Sequence, residues 1–273
     1  MGFIKKTVSL IFIAFAALIV GFDLWGAATL GTLEPKADPE RDATANRVVA
    51  VFGGTGSVGD GFLKAALADP EVEKVYAVTR RLSPRMETEK DNAKLEVIVQ
   101  EDFTDYTNLA GILPDINTVL WGLGTTSIGM DDDTYTWIHV DFPLAFAKAW
   151  LASEPAGPMS FHYITGMGTD PNGSQHWARE KGRAELTLAK MGEGNPLRAY
   201  GYRSAFVRPT SENANAFHHL GEVLLKPGSL VITATELGQA MLEIAARTAE
   251  VPNGALIDNE DSIRYAKAYA PGT

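Results

Sequence analysis

The sequence predicts an α/β fold: a doubly wound parallel sheet with a small C-terminal lid region, preceded by a hydrophobic helix. Three observations predict it. Short apolar runs rich in β-branched residues recur along the chain with helical segments between them, the rhythm of strand–helix–strand units. The first such run, Val48-Val49-Ala50-Val51-Phe52, passes directly into Gly53-Gly54-Thr55-Gly56-Ser57-Val58-Gly59 and then into a helical segment. Residues 1–33 differ from all of this and are apolar on every face of a helix.

The leader comes first in the chain. Lys5-Lys6 precede sixteen uncharged residues, Thr7 to Phe22, and after Asp23 a second uncharged run extends from Leu24 to Leu33. A basic start followed by an apolar stretch is the pattern of a signal peptide or signal anchor, with Gly26-Ala27-Ala28 as a small-residue cleavage site in the first case. In the second, the run reaches the ~20 residues of a membrane span if Asp23 lies at an interface. Residues 34–46 read as a polar linker, and the folded domain is expected over 47–273.

The strand Val48–Phe52 is followed by glycines spaced G-x-x-G-x-x-G, at Gly53, Gly56 and Gly59. Such a loop turns sharply and lets a ligand approach the backbone. The helical segment from Asp60 to Ala68 then aims its N-terminal amides and dipole at that ligand, for which a pyrophosphate is the usual occupant. The second strand, Val75 to Thr79, ends in Arg80-Arg81, about 20 residues beyond the last glycine. An acidic residue there accepts from a ribose 2′-hydroxyl, whereas arginine pairs with a 2′-phosphate. Two guanidiniums with no carboxylate beside them point to NADP(H) in preference to NAD(H).

Leu95 to Gln100 is the third strand, closed by Glu101-Asp102-Phe103-Thr104-Asp105. Thr118 to Trp121 is the fourth, running into Gly122-Leu123-Gly124-Thr125-Thr126. Gly122 and Gly124 end their strand where a cofactor backbone runs. Asp102 and Phe103 end theirs where an adenine ring lies, and Asp102 is equally suited to cap a helix. Phe161 to Thr165 is expected as the fifth strand and Ala205 to Pro209 as the sixth, with helices over Tyr135–Trp150 and Trp177–Lys190. The lid is expected mainly over 209–230.

These residues carry a family resemblance. The glycine loop, Arg80-Arg81, Asp102-Phe103-Thr104-Asp105 and Gly122-Leu123-Gly124-Thr125-Thr126 resemble the atypical short-chain dehydrogenase/reductases. Within them, the chain is similar to the Tat-interacting-protein-like oxidoreductases, which bind NADPH. Thr169-Asp170, Lys181-Gly182-Arg183-Ala184-Glu185 and Val207-Arg208-Pro209 continue the resemblance in the same order, so that it covers roughly Val48 to Ala268. It implies a Rossmann-type NAD(P)-binding domain. The expected cofactor contacts are Gly53, Thr55, Gly56, Ser57, Val58, Gly59, Arg80, Arg81, Asp102, Phe103, Gly122, Leu123, Gly124 and Lys181.

In typical members of that superfamily a tyrosine exchanges the substrate proton. A lysine four residues on lowers its pKa and holds the nicotinamide ribose, and a serine orients the carbonyl. The four-residue spacing places tyrosine and lysine on one helix face. Here the lysine position is Lys181 and the tyrosine position is Trp177, whose indole N–H donates a hydrogen bond but exchanges no proton at neutral pH. The serine position falls at Thr165-Gly166. The catalytic set expected from the resemblance is therefore Lys181, Thr165 and Trp177, with Thr125 and Thr126 toward the substrate.

Composition excludes other classes. The chain has 273 residues, a net charge of −10 and no cysteine, which argues against nucleic acid as a partner and rules out disulfides, thiolate catalysis and a cysteine zinc site. No metal site is expected: Asp131-Asp132-Asp133 suits a helix start, and His218-His219 with Glu222 lacks the second histidine of a zinc helix. The leading expectation is an NADP(H)-dependent oxidoreductase acting on a carbonyl or alcohol of a small, hydrophobic substrate. Its domain would be membrane-associated through the N-terminal segment and face a cofactor-containing compartment, with export after signal cleavage as the alternative. A non-catalytic NADPH-binding regulatory or scaffold protein is the second reading, and a sugar-nucleotide epimerase the third. The sequence carries no sign of an oligomeric state.

Overall fold

The computed structural model describes residues 2–272. Nine strands are formed: β1 (Val48–Phe52), β2 (Lys74–Thr79), β3 (Leu95–Val99), β4 (Thr118–Trp121), β5 (Met159–Ile164), β6 (Leu197–Arg203), β7 (Phe206–Arg208), β8 (Val231–Thr233) and β9 (Leu256–Asp258). Seven of them make one sheet in the order β3-β2-β1-β4-β5-β6-β9, while β7 and β8 pair separately. The pairings are parallel, with Val49 opposite Val75 on one side and Thr118 on the other.

Helices cover both faces of the sheet, which is why β1 is apolar at every position. Val48, Ala50 and Phe52 enter one core, and Val49 and Val51 the other. The first core is aromatic. Phe52 stacks on Trp121 with ring centroids 4.3 Å apart, and Phe146 and Trp150 of α5 (Phe142–Ala152) complete it. On the opposite face lie α2 (Gly59–Ala68), α8 (Ala234–Ala246) and α9 (Asn259–Ala268). The remaining helices are α1 (Gly2–Thr29), α3 (Pro84–Thr88), α4 (Asp132–Thr136), α6 (His176–Met191) and α7 (Ala216–Leu225).

Several expectations shift. The expected sixth strand does not join the main sheet: Phe206–Arg208 pairs with β8, and Leu197–Arg203 takes the place beside β5. The expected helix from Tyr135 is broken into α4, a π-helical turn over Trp137–Asp141, and α5. Asp131 caps α4 by accepting from the Thr134 N–H at 2.9 Å, as expected of a carboxylate at a helix start.

The hydrophobic leader is a helix, but among the described residues no helix is long and apolar enough to cross a membrane. Residues 34–46 have no regular secondary structure, yet they are firmly fastened. Arg41 pairs with both Glu243 and Glu71, the Asp42 N–H donates to Ala246 O at 2.8 Å, and Ala45 and Asn46 are buried.

The strand order reverses between β1 and β4, and the loops leaving these neighbours diverge to opposite faces. A crevice therefore opens at their C-terminal ends, the standard ligand position of such sheets.

Candidate functional site

The crevice is floored by the glycine loop. Gly53 takes φ +80°, a left-handed conformation that only glycine adopts freely. Gly59 opens α2 so close to the loop that a Cβ there would lie 2.1 Å from the Gly53 carbonyl oxygen. Val58 stands at the N-cap and offers no side-chain cap; the Asp60 and Gly61 N–H groups bond to the Gly56 and Val58 carbonyls, and the positive end of the helix dipole is turned to the crevice. A close backbone approach and an uncapped helix start fit a pyrophosphate.

The adenosine end is a cleft of about 440 Å³ lined by Gly53, Thr55 and Gly56, by Thr79, Arg80 and Arg81, and by Phe103 and Gly122-Leu123-Gly124. Arg80 and Arg81 are exposed, and among the described residues neither has a carboxylate within ion-pair distance. Arg85, one turn on, is by contrast committed. Its Nε and Nη2 donate to the Asp60 carboxylate at 2.6 and 2.9 Å. Asp60 also accepts from Thr210 Oγ1 at 2.6 Å and Asn213 Nδ2 at 2.9 Å, which ties the start of α2 to the segment leading into the lid. Phe103 is buried and stacks on Phe142, so it is a core residue with an edge on the cleft. Asp102 turns away: it is exposed and accepts from the Thr104 N–H and hydroxyl, which holds its carboxyl below the usual range.

The other end of the crevice is lined by Ser57 and Val58, by Thr125 and His139, and by Thr165, Gly166, Lys181 and Ser204. Lys181 Nζ donates to the Thr165 carbonyl at 2.8 Å, and burial pushes its pKa down to about 8. The carboxylate one turn further along α6, Glu185, is not its ion-pair partner. Glu185 instead binds Arg203 Nη2 at 2.7 Å and receives the Thr165 hydroxyl proton at 2.6 Å. The hydroxyl of Thr165 therefore turns lone pairs, not its proton, toward other partners.

His139 lies at the centre of the π-helical turn, a distortion that often marks functional positions. Its Nε2 contacts both the N–H and the carbonyl of Thr125, at 3.2 and 3.0 Å. Its ring is stacked on Tyr135 and pressed against Gly124, where a Cβ would come within 2.6 Å of Cε1. Burial, aided by the charge of Lys181, pushes its pKa down to about 3, so it is neutral. Its Nδ1 is buried without a partner, and so is Ser204 Oγ. Both atoms are sealed beneath the cleft wall and do not themselves face the cleft.

The structure thus brings together most of the residues singled out by sequence: Gly53, Thr55, Gly56, Ser57, Val58, Arg80, Arg81, Phe103, Gly122, Leu123, Gly124, Thr125, Thr165 and Lys181 line one continuous crevice. Gly59 lies beneath the loop against the Gly53 carbonyl and does not line the crevice, and three others lie apart. Asp102 faces solvent. Thr126 is exposed and its hydroxyl accepts from the Ile128 N–H. Trp177 shares a helix face with Lys181, but its ring packs over Gly168, 3.4 Å from where a Cβ would stand. Sequence reasoning missed His139 and Ser204. His139 is a lone histidine in a helical run, and only the fold turns it toward the glycine-rich strand end.

No family model matches the chain. Among curated proteins it is similar to Leucinostatins biosynthesis cluster protein T of Purpureocillium lilacinum, 28% identical over 52% of this chain and 51% of that protein. It is also similar to mitochondrial protein fmp52 of Emericella nidulans, 30% identical over 53% of this chain and 61% of that one. The matched region spans only about half to three fifths of these relatives' length. Solved structures are similar over much more of the chain. A short-chain dehydrogenase/reductase family oxidoreductase from Burkholderia thailandensis superposes with a TM-score of 0.63 at 17% identity, covering 80% of this chain and 92% of that one. L-Sorbose reductase from Gluconobacter frateurii, solved with NADPH and L-sorbose, gives 0.59 at 12% identity, covering 78% and 94%. The fold is that of the short-chain dehydrogenase/reductases.

Proposed function

We propose that the chain is an NADPH-preferring oxidoreductase that interconverts a carbonyl and an alcohol, related to the Tat-interacting-protein-like group. One observation carries the reading. A single crevice joins an uncapped helix start, two unpaired arginines at the end of β2, and a buried lysine at the opposite end. The glycine loop and the α2 dipole would hold the pyrophosphate, Arg80 and Arg81 the 2′-phosphate, and Lys181 the ribose beside the nicotinamide. A bound nicotinamide supplies or accepts the hydride.

This chain's own residues supply the rest. Lys181 Nζ, protonated below pH about 8, is the titratable donor lining the reacting end, and it delivers the proton to the substrate oxygen on reduction. Thr125, which lines the same end, orients that oxygen. His139, neutral and tied to Thr125, fixes the loop that ends β4. Membrane association through α1 and a mitochondrial or other NADPH-containing compartment go with this reading, supported by the apolar leader and by the names of the fmp52 relatives.

A second reading, a non-catalytic NADPH-binding protein, is favoured by Trp177 standing where the tyrosine is expected. Titration with NADPH and NADH, followed by a carbonyl panel, separates the two. Tight NADPH-preferring binding with turnover supports the enzyme; the same binding without turnover supports the binding protein; no binding of either nucleotide refutes both.

A further inference from the structure

One residue beyond Gly166, which lines the reacting end of the crevice, Met167 faces a different space. This is an open groove of about 530 Å³ whose other walls are Leu230 and, from α1, Ala17, Leu18, Gly21, Phe22 and Trp25. No wall residue carries a charge, and Leu18, Trp25 and Met167 are exposed in it. Covering such an apolar groove with a hydrocarbon chain removes its surface from water.

The partition between the two spaces is thin and rigid. Gly166 N–H donates to Tyr202 O at 3.0 Å and Met167 N–H to Ser204 O at 2.8 Å, so both residues are pinned to the end of β6. Leu230 O accepts from the Phe206 N–H at 2.9 Å, which fixes the opposite wall to β7. Helix α1 is seated by backbone contact. A Cβ on Gly26 would lie 2.3 Å from Gly228 O, and one on Gly228 would lie 2.8 Å from Phe22 O.

On the crevice side of this partition lies the polar end that carries Lys181. An ammonium donor and an apolar groove, separated by one anchored residue, match a molecule with a polar head and a hydrocarbon tail.

We propose that the apolar groove between α1, Met167 and Leu230 holds the tail of the substrate, which is a long-chain alkyl or isoprenoid carbonyl or alcohol. Its oxygen lies at Lys181, and its chain passes over Met167. The proposal rests on the oxidoreductase reading and names its substrate class. Helix α1 thereby becomes a wall of the substrate site.

The test uses the full chain and dansyl-undecanoic acid, whose emission shifts to the blue in an apolar site. Displacement by n-alkanals of about six to fourteen carbons is then followed. Each added methylene should tighten competition about two- to fourfold until the groove is filled. Gly21 has nothing within 4 Å of its Cβ position, so Gly21→Trp projects a ring into the groove without a backbone clash. It should weaken the probe at least about tenfold, and so should Met167→Asp from the opposite wall. Leu24→Ser alters an exposed apolar residue of the same helix outside the groove and should leave the affinity within about twofold.

Competition that ignores chain length, or equal losses in Gly21→Trp and Leu24→Ser, would overturn the proposal, because the probe then merely coats α1. Neutral phosphatidylcholine vesicles separate the sources of the tail. Displacement by vesicles as by free alkanals identifies a bilayer lipid chain, and displacement by free alkanals alone identifies a dispersed amphiphile. Either supports the site. NADPH fluorescence is read in the same samples. Normal NADPH binding without probe binding overturns the tail site alone, whereas probe binding without NADPH binding removes the oxidoreductase reading and with it the assignment of the tail to a substrate.

Discussion

Replacing Lys181 by methionine should strengthen the fold slightly at neutral pH and remove this residue's share of the rise in stability with pH. The free chain gains little from this charge at pH about 7. Burial pushes the Lys181 pKa down from 10.5 to about 8, so the folded state binds the proton less tightly than the unfolded chain does. Below the folded pKa both states are charged, and the fold bears the burial cost. As pH rises through about 8 the folded lysine sheds its proton while the unfolded one keeps it, so stability increases with pH up to about 10.5. Between pH about 7 and about 9.5 this linkage amounts to roughly 2 kcal/mol.

Methionine abolishes that gain. At neutral pH it removes a desolvation cost of about 3 kcal/mol and orphans the Thr165 carbonyl at a cost of about 1 kcal/mol, so the variant should be more stable by up to about 2 kcal/mol. The assay is urea denaturation of the wild-type and K181M chains at both pH values, taking the difference of differences so that other titrating groups drop out. The wild type should gain about 2 kcal/mol on the variant between the two pH values. A gain under about 0.5 kcal/mol, or a K181M chain already several kcal/mol weaker at neutral pH, would show that the ammonium stabilises the fold and is not held ready for a ligand.

Three further outcomes follow from the same geometry. Arg80→Ala together with Arg81→Ala should weaken NADPH about 10- to 100-fold and NADH less than about threefold, read by nicotinamide fluorescence; equal losses would refute the 2′-phosphate assignment. Asp60→Ala leaves the largely buried Arg85 guanidinium with only its longer, 3.5 Å pairing to Glu212 and also breaks the bonds to Thr210 and Asn213. Thermal denaturation should show a loss of about 3–5 kcal/mol, or roughly 6–20 °C in Tm, and Asp60→Asn should lose less. Carbonyl reduction should fall as pH rises through about 8, where Lys181 Nζ loses its proton, and a rate that is flat from pH about 7 to 9.5 would remove Lys181 as the donor.

The glycine loop was legible in the sequence because its causes are contiguous. Val48–Phe52 is apolar throughout because both faces of β1 are covered, and the glycines follow because the same few residues must turn and open a helix. Strand β6 was not legible for the opposite reason. Leu197–Arg203 contains two arginines, a glycine and two tyrosines, which read as surface. In the fold each polar group finds a distant partner: Arg198 donates to Ala245 O and Thr248 O, Arg203 pairs with Glu185, and the Tyr202 hydroxyl meets His162 Nδ1 at 2.7 Å. Burial of that strand depends on contacts up to about 50 residues away, so no local pattern announces it.

The two ends of the crevice divide in the same way. The phosphate and adenosine end is built from residues adjacent to β1 and β2, and spacing alone located it. The reacting end draws Thr125, His139, Lys181 and Ser204 from four separate segments, and no spacing links them. Resemblance located Lys181, but it directed attention to Trp177 and Thr165 as the proton-handling partners. The structure turns Trp177 onto Gly168 and engages the Thr165 proton with Glu185, while leaving His139 Nδ1 and Ser204 Oγ unpaired. Those two atoms are sealed from the crevice, so they serve the packing of its wall. The chemistry of this chain is to be sought at Lys181, the protonatable group that lines the reacting end, with His139 holding Thr125 in place beside it.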